Sequence, residues 1–140
     1  VAATSNDAYN TLVATDLAPE FGRDNVFQVM REKTESARHQ LPRTLGGRKF
    51  GPEETHAGMN RLMAEGWTFR ITRLTEEFTF EQWRATRDQS KLVARISAAG
   101  EIKLIRKDED VKGAPEVRII ALRPPSDEPE DSNIQPPAAT

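Results

Sequence analysis

The chain of 140 residues predicts an α+β fold: two helices packed on one face of a four- or five-stranded antiparallel meander sheet, with an N-terminal amphipathic arm and a proline-rich acidic C-terminal tail. Three observations predict it. Apolar residues recur at helical spacing as far as Gly66 and alternate from Trp67 onward. The alternating runs then follow one another with only short breaks, which favours antiparallel pairing. After Leu122 the apolar pattern stops, so the chain divides into an arm over 1–22, a compact domain over 23–123 and an extended tail over 124–140.

The arm places Tyr9, Leu12, Val13 and Leu17 at helical spacing, with Ser5 or Asn6 as a cap and Pro19 closing the run. A helix this short is marginal alone, so it must dock on the domain or on a partner. Asp24 then caps an expected helix, NVFQVMREKTESARHQL, whose stripe is Phe27, Met30, Ala37 and Leu41 and which Pro42 ends. PRTLGGRKFG reads as loop. A further helix is expected to follow Gly51, with Pro52 at its first position, Glu53 and Glu54 in the first turn, Met59, Leu62 and Met63 as its stripe, and Gly66 beyond its end.

Residues 66–87, GWTFRITRLTEEFTFEQWRATR, read as two strands. Trp67, Phe69 and Ile71 are expected inward and Thr68, Arg70 and Thr72 outward, with a bulge near Glu81 and Gln82, because Phe78 and Phe80 share a parity that Trp83 breaks. KLVARIS and EIKLIRK flank a glycine turn, with Leu92, Ala94 and Ile96 and then Ile102 and Leu104 inward. EVRIIAL is a last strand, apolar on part of both faces. Five of the nine prolines fall in 124–140 beside four acidic residues, a composition that does not order itself.

The composition limits the function classes. A hydrophobic share of 36% against 30% charged residues leaves one modest core with polar extensions. A net charge of −2 gives no general attraction for nucleic acid or anionic membrane, so any such affinity must be local. Without cysteine there is no disulfide, thiolate nucleophile or cysteine-bound zinc. The N-terminal residues lack a basic-then-apolar signal pattern and no apolar run reaches 18 residues, so the expectation is a soluble chain in the cytoplasm or another reducing compartment, without membrane insertion.

Catalytic and ligand motifs are weak throughout. Glu53 and His56 have the i, i+3 spacing of bundle metal sites, but His39 is spaced by four from Glu35 and the further helices are lacking, so a first-turn acid and a surface histidine are expected instead. No serine or threonine has a base and an orienting group in motif context. LGGRKFG misses the phosphate-loop spacing. We therefore expect no catalytic residues, metal, cofactor or small-molecule substrate.

Nucleic acid is the sharper alternative. No acidic residue stands between Glu35 and Glu53, a span holding Arg38, Arg43, Arg48 and Lys49, and residues 67–106 carry eight basic against five acidic residues. If Arg70, Arg84, Arg95 and Lys103 shared an outer sheet face, a strand or duplex would have a place to lie. The interspersed glutamates favour an ordinary solvated face. The leading expectation is thus a non-enzymatic structural or interaction subunit of a larger assembly, whose arms clamp other protein subunits through Tyr9, Leu12, Val13 and Leu17 and through Arg123, Pro124 and Pro125 at the root of the tail.

Overall fold

The computed structural model describes residues 1–32, 45–49, 51–106, 109, 111 and 115–125. Among them the fold is α+β, with three helices and a four-stranded antiparallel sheet, joined by a small parallel pair.

Helix α1 (Asp7–Phe21) starts where expected, since the Asn6 side-chain oxygen accepts the Tyr9 N–H at 3.0 Å. Pro19 does not close it. Proline so near the end leaves little of the helix ladder to break, and the chain runs on to Gly22, whose φ of 80° suits glycine. A 3-10 turn at Arg23–Asn25 follows.

The helix expected from Asn25 does not begin there. Phe27–Gln28 is a strand (β1), paired in parallel with Arg48–Lys49 (β2) on one side and bridged to Ala2 on the other. All four residues from Val26 to Val29 are buried. That pattern fits a segment enclosed on both sides, whereas a surface helix buries one stripe. Leu41, Ala37 and the rest of the expected helix from residue 33 lie outside the described residues, as does the tail beyond Pro125.

Helix α2 spans His56–Ala64 and is capped by Thr55, whose hydroxyl accepts the Gly58 N–H at 3.0 Å. Pro52 and both glutamates therefore precede the helix. Glu53 takes φ 50°, which no helical first turn would allow. Gly66 stands beyond the end as expected, with φ 93°.

The four-stranded sheet has β3 (Thr68–Arg73), β4 (Lys91–Ile96), β5 (Ile102–Leu104) and β6 (Arg118–Arg123) in the order β3-β6-β4-β5. The last strand enters the middle, so the sheet is not a sequential meander. Paired on both edges, it buries apolar residues on both faces, Ile119 and Ala121 on the α3 side and Leu122 on the other.

Between β3 and β4 stands a helix, α3 (Phe80–Thr86), where a second strand was expected. Thr79 and Gln82 form a reciprocal capping box, each side chain meeting the other's backbone N–H. Phe80 and Trp83 lie three apart, so both face inward, their rings stacked at 5.7 Å. They pack with Leu74, Ile105, Val111, Val117, Ile119 and Ala121 as the core.

Register assigns the two sheet faces. Thr72 pairs with Ile119 and Arg70 with Ala121, so the threonines and arginine expected outward share the α3-covered face. Phe69, Ile71 and Trp67 occupy the other face, where Ile71 is 62% exposed. A bulge between Leu92 and Ala94 puts Leu92 with the core and sends Ala94 and Ile96 to that same second face. Ile102, expected inward, is 67% exposed there.

Candidate interaction surface

Helix α1 is seated with its large side chains outward. Its buried residues are Asn10, Thr11, Ala14 and Ala18, and it lies on β1 through small and polar groups. Asn10, 1% exposed, accepts from both the backbone N–H and the hydroxyl of Thr4 and donates to the Thr4 carbonyl at 2.9 Å. Gln28 donates to the Thr11 hydroxyl at 3.4 Å and accepts the Gly47 N–H at 2.8 Å. The Thr15 hydroxyl accepts the Gly46 N–H at 2.9 Å. These bonds satisfy buried polar groups and fix the helix's rotation.

That rotation exposes the predicted stripe. Tyr9 is 56% exposed, Leu12 60% and Leu17 41%, with Val13 half-buried at the margin. The helix carries Asp7, Asp16 and Glu20 but no lysine or arginine. Burying large apolar side chains is the usual reason an amphipathic helix docks. Here the polar side docks instead, and the apolar stripe is left to solvent.

The same glycine pair that could have cradled a phosphate has a packing role. A Cβ on Gly46 would strike the Gln28 side chain, and one on Gly47 the backbone of Phe27. Their N–H groups are already donated to Thr15 and Gln28.

The basic candidates do not gather on one open surface. Arg38 and Arg43 lie outside the described residues. Arg48 is ion-paired with Asp24, and Lys49 is exposed. Arg70, Arg95 and Lys103 share the α3-covered face rather than an outer one, and Lys103 lies 3.4 Å from Glu109. Arg84 projects from α3 over the Phe80 ring at 5.8 Å. At the tail's root, Arg123 and Pro124 are half-buried, and Pro125 lies beside Gly66 of the same chain.

A cleft enclosing about 270 Å³ separates the end of α3 from β4, lined by Pro52, Trp83, Arg87 and Lys91 among others. Trp83 Nε1 and Arg87 Nε are buried without hydrogen-bond partners among the described residues. Lys91 is tied to Glu54 at 2.9 Å. Since α2 begins at His56, Glu53 and His56 do not share a helical face. Among the described residues no group of three or more metal-ligating side chains converges, and no helix is long and apolar enough to cross a membrane.

The sequence reasoning read the last strand as apolar on part of both faces but put the apolar side of β3 on the wrong one. On the second face the cross-strand row Ile71, Ile120, Ala94 and Leu104 is apolar throughout, and Phe69 and Ile102 extend it at the two edges. The signal was present in the unbroken apolar content of RIIALR, which needs more than one covered face. No protein-family model matches the chain, and neither a curated protein nor a solved structure is significantly similar to it.

Proposed function

We propose that the protein is a non-enzymatic interaction subunit that joins a larger protein assembly through α1. One observation carries this reading: α1 docks on its own domain by Asn10, Thr11, Ala14 and Ala18 and turns Tyr9, Leu12 and Leu17 to solvent. A helix anchored by polar bonds, with an apolar stripe outward, is prepared to insert that stripe into an apolar groove of a partner. Anchoring beforehand lowers the ordering cost of the contact. Arg123, Pro124 and Pro125 are the other predicted arm contacts; they start the tail from the central strand β6 and serve as its fixed root.

The test is Leu12→Gln with Leu17→Gln in the full chain, both exposed positions and both changes to a good helix former. Light scattering on the protein from its native source, with nuclease treatment, measures the mass of its complexes. The expected result is loss of the large species with an unchanged thermal melt. Complexes of undiminished mass in the double variant sink the proposal, and complexes that collapse only with nuclease turn attention to Arg43, Arg48 and Lys49 as a nucleic-acid contact.

A further inference from the structure

We propose that β3 is a self-association edge, pairing antiparallel with β3 of a second copy of the chain in a register centred on Ile71. This goes beyond the reading of α1 and rests on a different part of the molecule.

The backbone shows which groups are on offer. β3 is an edge strand of six residues without proline or glycine, and no described strand pairs with its outer side. The opposite edge, β5, has three residues, and the Ile105 carbonyl just past it accepts the Gly51 N–H at 2.6 Å. In an antiparallel ladder successive residues turn their backbone groups to opposite sides. Leu74 donates to the Val117 carbonyl at 2.8 Å in the same register that joins β3 to β6, so Thr72, Arg70 and Thr68 face β6 with their N–H and C=O groups. Phe69, Ile71 and Arg73 therefore present theirs at the free edge. An edge that is neither short nor interrupted by proline is a template for a further strand.

Symmetry and register then name that strand. Antiparallel pairing of β3 with its own copy closes a two-fold dimer. Centred on Ile71, the pairing sets Ile71 against Ile71 and Phe69 against Arg73 of the other copy, so every free N–H and C=O of these three residues finds a partner. Centred on Arg70, it would oppose arginine to arginine and call on the Trp67 N–H, which already donates to Leu62. Centred on Thr72, it would call on the Thr75 N–H, which already donates to Phe78. The side chains agree with the Ile71 register. Phe69 and Ile71 are 44% and 62% exposed, and each gains an apolar or aliphatic neighbour across the new ladder. The Arg73 that meets Phe69 has its charge balanced by Glu116. On the α3 face Arg70 falls opposite Thr72, so no like charges are directly opposed.

Ile71→Cys tests the register, because the chain has no cysteine of its own. Residues opposed in a bonded antiparallel pair have Cα atoms about 5.5 Å apart, within disulfide reach. Mild oxidation is expected to convert Ile71→Cys to a covalent dimer and to leave Ile102→Cys, at the other edge, a monomer. Sedimentation velocity on the unaltered full chain up to about 1 mM is expected to show a species of twice 15.7 kDa. Ile71→Lys opposes two ammonium groups across the two-fold axis without touching the bonds to β6, and should raise the dimer Kd by about tenfold or more with the melt of the monomer unchanged. A chain that stays monomeric at every concentration overturns the proposal, as does equal crosslinking of the two cysteine variants or a dimer that Ile71→Lys leaves intact. Leu12→Gln with Leu17→Gln should leave the dimer whole; a dimer lost with those two changes overturns the β3 contact and moves self-association to α1.

Discussion

The molecule has two packed regions that are built differently. Around α3 the sheet buries Leu74, Ile105, Ile119 and Trp83 in apolar contact. Around α1 the buried side chains include Asn10, Thr11 and Gln28, held by directed hydrogen bonds. Apolar burial contributes in proportion to area and tolerates small shifts, whereas each hydrogen bond adds little net stability but is costly to leave unmade. The first region is thus stabilised by apolar area, to which Val26, Phe27 and Val29 beneath α1 also contribute. The second supplies orientation, and it leaves the large side chains of α1 available for a partner.

The sharpest way to break this contrast is to remove the centre of the apolar region. Trp83 is 2% exposed and stacked on Phe80, so Trp83→Ala should cost about 3–5 kcal/mol. A urea titration reads it as a large drop in the midpoint for the whole molecule. A loss below about 1 kcal/mol, the size of one net hydrogen bond, would erase the distinction between the regions.

The polar region predicts a smaller and more local response. Gln28→Ala leaves the Gly47 N–H without its acceptor and the Thr11 hydroxyl without its donor, a cost of about 1–3 kcal/mol. Because α1 meets the rest of the chain chiefly through β1 and the adjoining turn, hydrogen exchange should accelerate at α1 amides while β4 and β6 keep their protection. Equal acceleration in both would mean that α1 and the sheet open as one unit.

How far the sequence disclosed this architecture follows from where local signals agree with tertiary demand. The α+β class was legible, as were the Asn6 cap of α1 and the Gly66 stop of α2, because capping chemistry is local. The seating of α1 was not legible. Tyr9, Leu12 and Leu17 form an apolar stripe whichever way the helix turns, and only the partners of Asn10 and Gln28 settle which side faces in. The interior of the sheet was misplaced for a related reason: alternation in TFRITR says that two faces differ, without saying which one α3 covers. Phe80 and Trp83 were assigned to a bulged strand, although Thr79 and Gln82 already spelled a capping box.

That capping box offers the smallest effect and the finest comparison. Thr79→Ala removes the hydroxyl that accepts the Gln82 N–H and should cost about 1 kcal/mol. Asn6→Ala removes the equivalent cap of α1, with a similar local cost. The two should differ in reach. Phe80 and Trp83 carry α3 into the shared core, so weakening that helix lowers the melting temperature of the whole molecule, by roughly 2–5 °C at this size. Loss of the α1 cap frays a helix whose buried face is small and polar, so its signature belongs in α1 exchange rates rather than in the global melt. Paired melts of the two variants decide it: equal shifts would show that α1 is as much a part of the core as α3, and would remove the ground for treating its outward stripe as a surface kept for a partner.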